Sequence, residues 1–236
     1  MYGKDGRLGL IVPSSNTTNE PEFVRALPDG VSLHASRMRL ADVDADSLSA
    51  MADDATNCAS LLATADVDVV AYGCTTGSLV HGPGYDEDIE ARLEAEAGVP
   101  AVATAASIKR AFEDLGVESV AVTTPYIEDL NRREAEFLEA AGYDVVAIDG
   151  LGLSSNLEIG AQDPETAAEA ARNVDDPDAD AVFISCTNYR TFEIIPELER
   201  ELDKPVVTSN QATLWDALDR LDGSVRPTID LGRLFE

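Results

Sequence analysis

Lysine is scarce in this chain. It stands only at Lys4, Lys109 and Lys204, against 45 acidic residues, and the formal net charge is −28. Such an imbalance excludes a surface that attracts nucleic acid or anionic lipid. Histidine is rarer still, at His34 and His81. Two histidines and the scattered Cys58, Cys74 and Cys186 give no zinc-ligand spacing, and three such cysteines make no disulfide framework. No Gly-x-Gly-x-x-Gly or Walker sequence follows the first apolar run, so nucleotide binding has no support. No apolar stretch reaches the ~18 residues of a membrane span, and the first residues lack a signal-peptide layout. These absences predict a soluble protein of a reduced cytoplasm.

What is present is enough for a packed core. Hydrophobic residues make up 44% of 236, sufficient for one large domain or two small lobes. Acidic excess with few lysines predicts adaptation to a salt-rich, halophilic cytoplasm. At molar salt the Debye length is only ~3 Å, which screens the mutual repulsion of the carboxylates. The acidic clusters 42–46 and 175–176 read as solvated surface.

Strand and helix patterns alternate. Short apolar runs at 8–12, 31–38, 67–72 and 100–104 read as strands, with helical spacing at 47–65 and 86–97. The second half repeats the order, with strands at 119–124, 143–148, 181–185 and 205–209 and helices at 127–141, 164–173, 192–202 and 211–221. The predicted fold is α/β: two flavodoxin-like lobes related by a pseudo-two-fold axis, each a four-stranded parallel sheet flanked by helices. The expected lobes are 1–105 and 106–210, with the chain over 211–236 crossing back onto the first. A constant offset between the halves supports duplication. The spacing that carries Cys74 onto Cys186 also carries Asp66 onto Asp178, Pro13 onto Pro125 and Gly30 onto Gly142.

Ligands of open parallel sheets sit at the carboxyl ends of the strands. The polar segments 13–18, 73–78, 124–126, 154–156 and 185–188 fall there. A strand end leading into a helix offers free backbone N–H groups, which suit a carboxylate and are expected to lower a thiol pKa. Cys74 and Cys186, at equivalent places, are therefore the candidate catalytic pair. Cys58 lies on the apolar face of a helical stretch and reads as core, and His34 as a strand residue. His81 is an outside candidate for the cleft. Gly82-Pro83-Gly84 reads as a turn that could serve as a lid.

The segments Val12-Pro-Ser-Ser-Asn-Thr-Thr18 with Glu20, Tyr72-Gly-Cys-Thr-Thr-Gly77, Ser185-Cys-Thr-Asn188 and Ser209-Asn-Gln-Ala-Thr213 with Trp215 resemble the aspartate/glutamate racemase superfamily. Within it they are most similar to the maleate cis-trans isomerases. That resemblance implies isomerisation of maleate to fumarate without a metal or organic cofactor, on a small dicarboxylate, in a homodimer. Cys74 matches the nucleophile, and Cys186 the cysteine that moves the proton. Asn16, Tyr126 and Asn156 match positions that hydrogen-bond the substrate carboxylates, and Thr75, Thr76 and Thr187 complete the expected binding set. Arylmalonate decarboxylases share the fold but keep one cysteine. Racemases usually show Cys-Asn-Thr and Cys-Thr-His where this chain has Cys-Thr-Thr and Cys-Thr-Asn. Asn19 departs from the methionine usual in the first motif. A two-cysteine amino-acid racemase and a non-catalytic dicarboxylate-binding protein are the alternatives.

The charge generates a first prediction. Melting in molar KCl will occur several degrees above melting in about 0.05 M KCl, where the Debye length is several-fold longer. Midpoints agreeing within about 2 °C, which is under ~1 kcal/mol for a chain of this size, would contradict salt adaptation.

Overall fold

The structure is a computed structural model and describes residues 2–40, 45–221 and 224–236. Its framework is two four-stranded sheets in which every strand pairing is parallel. The first contains β1 (Gly6–Pro13), β2 (Val31–Met38), β3 (Val69–Tyr72) and β4 (Ala101–Ala103), in the order β2-β1-β3-β4. The second contains β5 (Ser119–Tyr126), β6 (Asp144–Leu153), β7 (Ala181–Ile184) and β8 (Val206–Thr208), in the equivalent order β6-β5-β7-β8. The repeat seen in the sequence is a repeat of register at the centre of each sheet. Leu8 faces Val69 and Ile11 faces Tyr72; at the equivalent places of the second half, Val120 faces Ala181 and Thr123 faces Ile184. The expected α/β fold with two parallel sheets is therefore present.

Helices cover both faces of each sheet, which is why β3 and β7 are unbroken apolar runs with every residue buried. In chain order they are α1 (Asn19–Ala26), α2 (Ala45–Ala63), α3 (Thr75–Leu79), α4 (Tyr85–Ala97), α5 (Thr104–Leu115), α6 (Glu128–Ala140), α7 (Asn156–Gly160), α8 (Pro164–Val174), α9 (Ile195–Leu202) and α10 (Ser209–Leu221). Two of them change partners. α5 leaves the first sheet and packs Ile108, Ala111 and Phe112 among Val120, Val122, Phe183 and Val207 of the second. α10 leaves the second and packs Leu214, Ala217 and Leu218 among Leu8, Leu10, Val69 and Val102 of the first. The exchanged helices are joined to each other. Asp216 accepts from Ser107 Oγ at 2.8 Å and pairs with Arg110 at 2.6 Å, while Thr213 Oγ1 donates to Thr104 Oγ1 at 3.0 Å.

Several local expectations are corrected. The short α1, α3 and α7 are absent from the sequence reading; helices of five to eight residues carry too little periodicity to read, and their first turns are polar. Ser209 begins α10 instead of ending β8. β6 continues to Leu153, because an exposed edge strand keeps polar and glycine positions that do not read as strand. Asp175 is paired with Lys204 at 2.8 Å and is not free surface. The acidic run 42–46, and Leu48, lie outside the residues whose side chains are described. Cys58 is buried with Met51, Ala55, Ala59 and Leu62, as core. His34 stands within β2, its Nε2 at 3.0 Å from Ser32 Oγ. Gly82 and Gly84 both have left-handed backbone in the turn before α4.

Candidate active site

The polar segments after β1, β3, β5, β6 and β7 converge on one narrow cavity of about 20 Å³. Its lining includes all eight residues expected from the sequence: Asn16, Cys74, Thr75, Thr76, Tyr126, Asn156, Cys186 and Thr187. Leu40, Pro13 and Asn188 complete it. That volume is on the scale of a single water molecule, so a larger ligand enters only when the walls part. His81 is exposed, packs edge-on against Tyr85 and does not line the cavity. Among the described residues no group of three His, Cys, Asp or Glu side chains is placed to hold a metal.

Asn16 is oriented by the helix behind it. Its Oδ1 accepts from the backbone N–H groups of Thr18 and Asn19, both at 3.0 Å, at the start of α1. These two bonds fix which end of the amide is oxygen and aim Nδ2 at Thr187 Oγ1, 3.2 Å away. Thr187 Oγ1 in turn donates to the Gly73 carbonyl at 3.1 Å, beside Cys74. Asn156 Nδ2 donates to Ser15 Oγ at 2.8 Å.

Asn188, which the sequence placed in a motif but in no role, joins these loops. Its Nδ2 donates to the Asn156 carbonyl at 2.6 Å and to Asn156 Oδ1 at 3.0 Å. Its Oδ1 accepts from Thr17 N–H at 2.8 Å, and its backbone carbonyl accepts from Thr18 Oγ1 at 3.0 Å. Ser209 does the same between the cysteine loops: its Oγ accepts from Thr75 Oγ1 at 2.9 Å and from Cys186 N–H at 3.0 Å. Only its place in the second cysteine motif could have suggested Asn188, and nothing local marks Leu40.

The departure at Asn19 also has a structural place. Asn19 is fully buried, donates Nδ2 to Asn210 Oδ1, and leaves its own Oδ1 without a partner. Asn210 Nδ2 reaches Glu22 Oε2 at 2.6 Å and the Thr187 carbonyl at 3.0 Å. A Cβ at Gly73 would collide with Asn19 Oδ1, so this packing requires glycine before Cys74.

The thiols depart from the sequence expectation. Burial pushes Cys74 up to about 11, against the opposing pull of the Gly77 backbone N–H and the Thr76 hydroxyl. Burial pushes Cys186 up to about 12, opposed by hydrogen bonds from the Tyr126 hydroxyl and the Asn188 backbone N–H and reinforced by the charges of Cys74 and Glu134. Both thiols are only 4–5% exposed. The lowering expected from a helix start is outweighed for two reasons. α3 is a five-residue helix with a weak dipole, and no helix begins directly after Cys186, where the chain instead makes a turn with Cys186 at φ +99°. A left-handed cysteine is a strained backbone position held by its surroundings.

Known proteins share this arrangement over almost their whole length. Residues 8–235 match the arylmalonate decarboxylase family. The maleate isomerase of Geobacillus stearothermophilus is 34% identical over 93% of both chains, and that of Alcaligenes faecalis 32% over 92% of both. The arylmalonate decarboxylase of Bordetella bronchiseptica is 29% identical over 97% of this chain and 96% of its own. Among solved structures, a maleate isomerase from Pseudomonas putida superposes with a TM-score of 0.93 at 30% identity, covering 98% of each chain. A Nocardia farcinica maleate cis-trans isomerase mutant carrying a covalently bound succinylcysteine intermediate gives 0.87 at 29% identity, covering 92% of this chain and 93% of that one. The paired cysteine loops, the two parallel sheets and these near-full-length matches together establish that the chain belongs to the family of maleate isomerases and arylmalonate decarboxylases.

Proposed function

We propose that this protein is a maleate cis-trans isomerase acting by cysteine addition and elimination. One observation carries the reading: Cys74 and Cys186, at repeat-equivalent strand ends, line the same narrow cavity with amide and hydroxyl donors suited to a dianion. The N. farcinica succinylcysteine complex supports covalent chemistry at such a cysteine. The alternatives of an amino-acid racemase and a non-catalytic binding protein have no comparable support.

In the proposed sequence the Cys74 thiolate adds to one alkene carbon of maleate. The S–C bond forms, and the alkene pair moves onto the neighbouring carbon and its carboxylate. The Cys186 thiol delivers its proton to that carbon, giving a succinyl thioether with a single central bond. Rotation about this bond brings the carboxylates to opposite sides. Cys186 thiolate then removes a proton from the same carbon, the alkene re-forms, and Cys74 leaves as thiolate. Asn16, Asn156, Thr75, Thr76, Thr187 and the Tyr126 hydroxyl are assigned to the carboxylates, where negative charge accumulates. Burial makes each such donor more effective than it is in water.

The cleft walls are read as lobes 1–105 and 106–210, with the chain after 210 lying on the first; the packing of Leu214, Ala217 and Leu218 against β1 and β3 supports this. The charge of −28 supports a salt-rich cytoplasm as the working environment.

Proton NMR of the protein with maleate, in deuterated buffer containing molar KCl, will show fumarate as the product. Cys74→Ser will lose at least about a thousandfold in turnover, the scale of removing a nucleophile, and Cys186→Ala will be similarly severe. Cys58→Ala will remain active; a folded Cys74→Ser protein with near-normal turnover would sink the assignment.

Asn16→Asp keeps the oxygen that the start of α1 needs but replaces the donor facing the cavity with a second acceptor. Turnover will fall by more than about tenfold, the kinetic loss being that of one aligned donor, and the melting point will fall by a few degrees because the buried bond to Thr187 is lost. Kinetics within twofold of wild type would remove Asn16 from the carboxylate site.

The pH dependence follows from the thiols. Because burial places Cys74 up to about 11, the thiolate fraction of the free enzyme grows about tenfold per pH unit below that value. The logarithm of kcat/KM will therefore rise with pH between about 7 and 9, the interval lying below that thiol value. A flat profile across that interval would show that the nucleophile is already ionised.

A further inference from the structure

Glu134, on α6, is a buried carboxyl that the mechanism above does not use. It is 1% exposed. Its Oε1 accepts from Ser185 Oγ at 2.6 Å, and its Oε2 is buried without a partner. No ion pair among the described residues involves it. A carboxylate so poorly compensated is costly to bury, and its position directly behind the residue preceding Cys186 gives its charge little solvent screening.

The repeat makes this placement informative. At the offset that relates Cys186 to Cys74, the counterpart of Glu134 is Glu22 on α1, and the counterpart of Ser185 is Gly73. Glycine offers no hydroxyl to Glu22. Glu22 turns instead to the backbone N–H groups of Thr191 and Phe192, at 2.6 and 2.9 Å, and to Asn210 Nδ2 at 2.6 Å. One carboxyl is thus bonded into the framework by three donors, and the other is held beside a cysteine by one. The two thiols must nonetheless play unequal parts in the proposed isomerisation, one starting as thiolate and one as thiol.

We propose that Glu134 is a positioning residue that acts through Cys186: its carboxylate disfavours the Cys186 thiolate, so that Cys186 stays the proton donor and Cys74 is the thiol that ionises more readily. This rests on the two-cysteine reading above. The groups facing Cys186 are Tyr126 from β5, Cys74 from the opposite loop, Glu134 from α6 and the neighbouring Tyr189. Tyr126 donates to the sulfur and favours its ionisation. Cys74 and Glu134 oppose it, and of these only Glu134 is a permanent feature when Cys74 is neutral. Glu134 is bonded to Ser185, the residue before Cys186, while its counterpart Glu22 is bonded to Thr191, Phe192 and Asn210 instead of to the residue before Cys74, so the arrangement is one-sided. Burial holds Glu134 itself up to about 7, so it is ionised at the alkaline pH where the thiols react.

The test is the alkylation of each thiol by iodoacetamide at pH about 8.5 in molar KCl, quantified on the two cysteine peptides by mass spectrometry. In Glu134→Gln, Cys186 will react about threefold faster, equivalent to half a pKa unit, while Cys74 changes little, so the Cys74-to-Cys186 ratio falls. Glu134→Met removes both charge and hydrogen-bond acceptor and will give the same change, so the result does not depend on glutamine packing well. Glu22→Gln will leave the ratio at its wild-type value. In Glu134→Gln, kcat will fall with KM nearly unchanged. An unchanged ratio in folded Glu134 variants, or an equal change from Glu22→Gln, would overturn the proposal. The alkylation readout needs no turnover, so its failure is distinct from failure of the isomerase assignment.

Discussion

The hydroxyl of Thr187 ties the two sheets together at the point where chemistry is expected. It donates to the Gly73 carbonyl on one side and accepts from Asn16 on the other, while the Thr187 carbonyl accepts from Asn210. Ser209 and Asn188 extend the tie to both cysteine loops and to the first residue of α7. These bonds are buried, so each is shielded from competing water, and leaving any one donor or acceptor unpaired costs about 1–3 kcal/mol. The network therefore holds strand-end loops from two separate sheets in one geometry. It also explains why the cavity is so small: the donors are satisfied by one another, and a ligand must replace some of those partners as it enters.

The exchange of α5 and α10 is the larger frame around this tie. Each helix starts directly from the last strand of one sheet and covers the other. The Arg110, Asp216 and Ser107 contacts join the pair near the sheet edges. Separating the sheets would expose both apolar faces, so the cleft floor is held by burial and the polar network only has to set its details. Opening for a dianion is then a matter for the loops lining the cavity.

Duplication supplies two equivalent thiols, but the proposed isomerisation needs them unequal. The structure contains it in small differences between the halves. Gly73 stands where the second half has Ser185, a five-residue helix follows Cys74, and a left-handed turn begins at Cys186. Asn19, buried against Gly73, belongs to the same set of departures from symmetry. Each changes which donors reach which acid, and burial strengthens the effect of such differences on protonation.

Much of this was legible in the chain. Apolar runs such as 8–12 and 181–185 announced buried parallel strands, because strands covered on both faces need no alternation. The constant offset between the halves announced the repeat and placed Cys74 and Cys186 at matching strand ends. Most of the cavity residues were legible too, Leu40 excepted, since the carboxyl ends of parallel strands gather polar loops whatever the helices do. The ionisation of the thiols was not: burial depends on how closely the two sheets approach, and the expectation of a lowered pKa assumed a helix dipole that α3 is too short to provide. Nor could the chain order reveal that Asn188 spans three loops, that Ser209 starts a helix, or that Glu134 lies behind Cys186 and Glu22 does not lie in the same way behind Cys74. Strand patterns and repeat spacing are local or periodic properties, which sequence records directly. Desolvation and hydrogen-bond partnership are sums over neighbours distant in the chain, and only the tertiary structure chooses those neighbours.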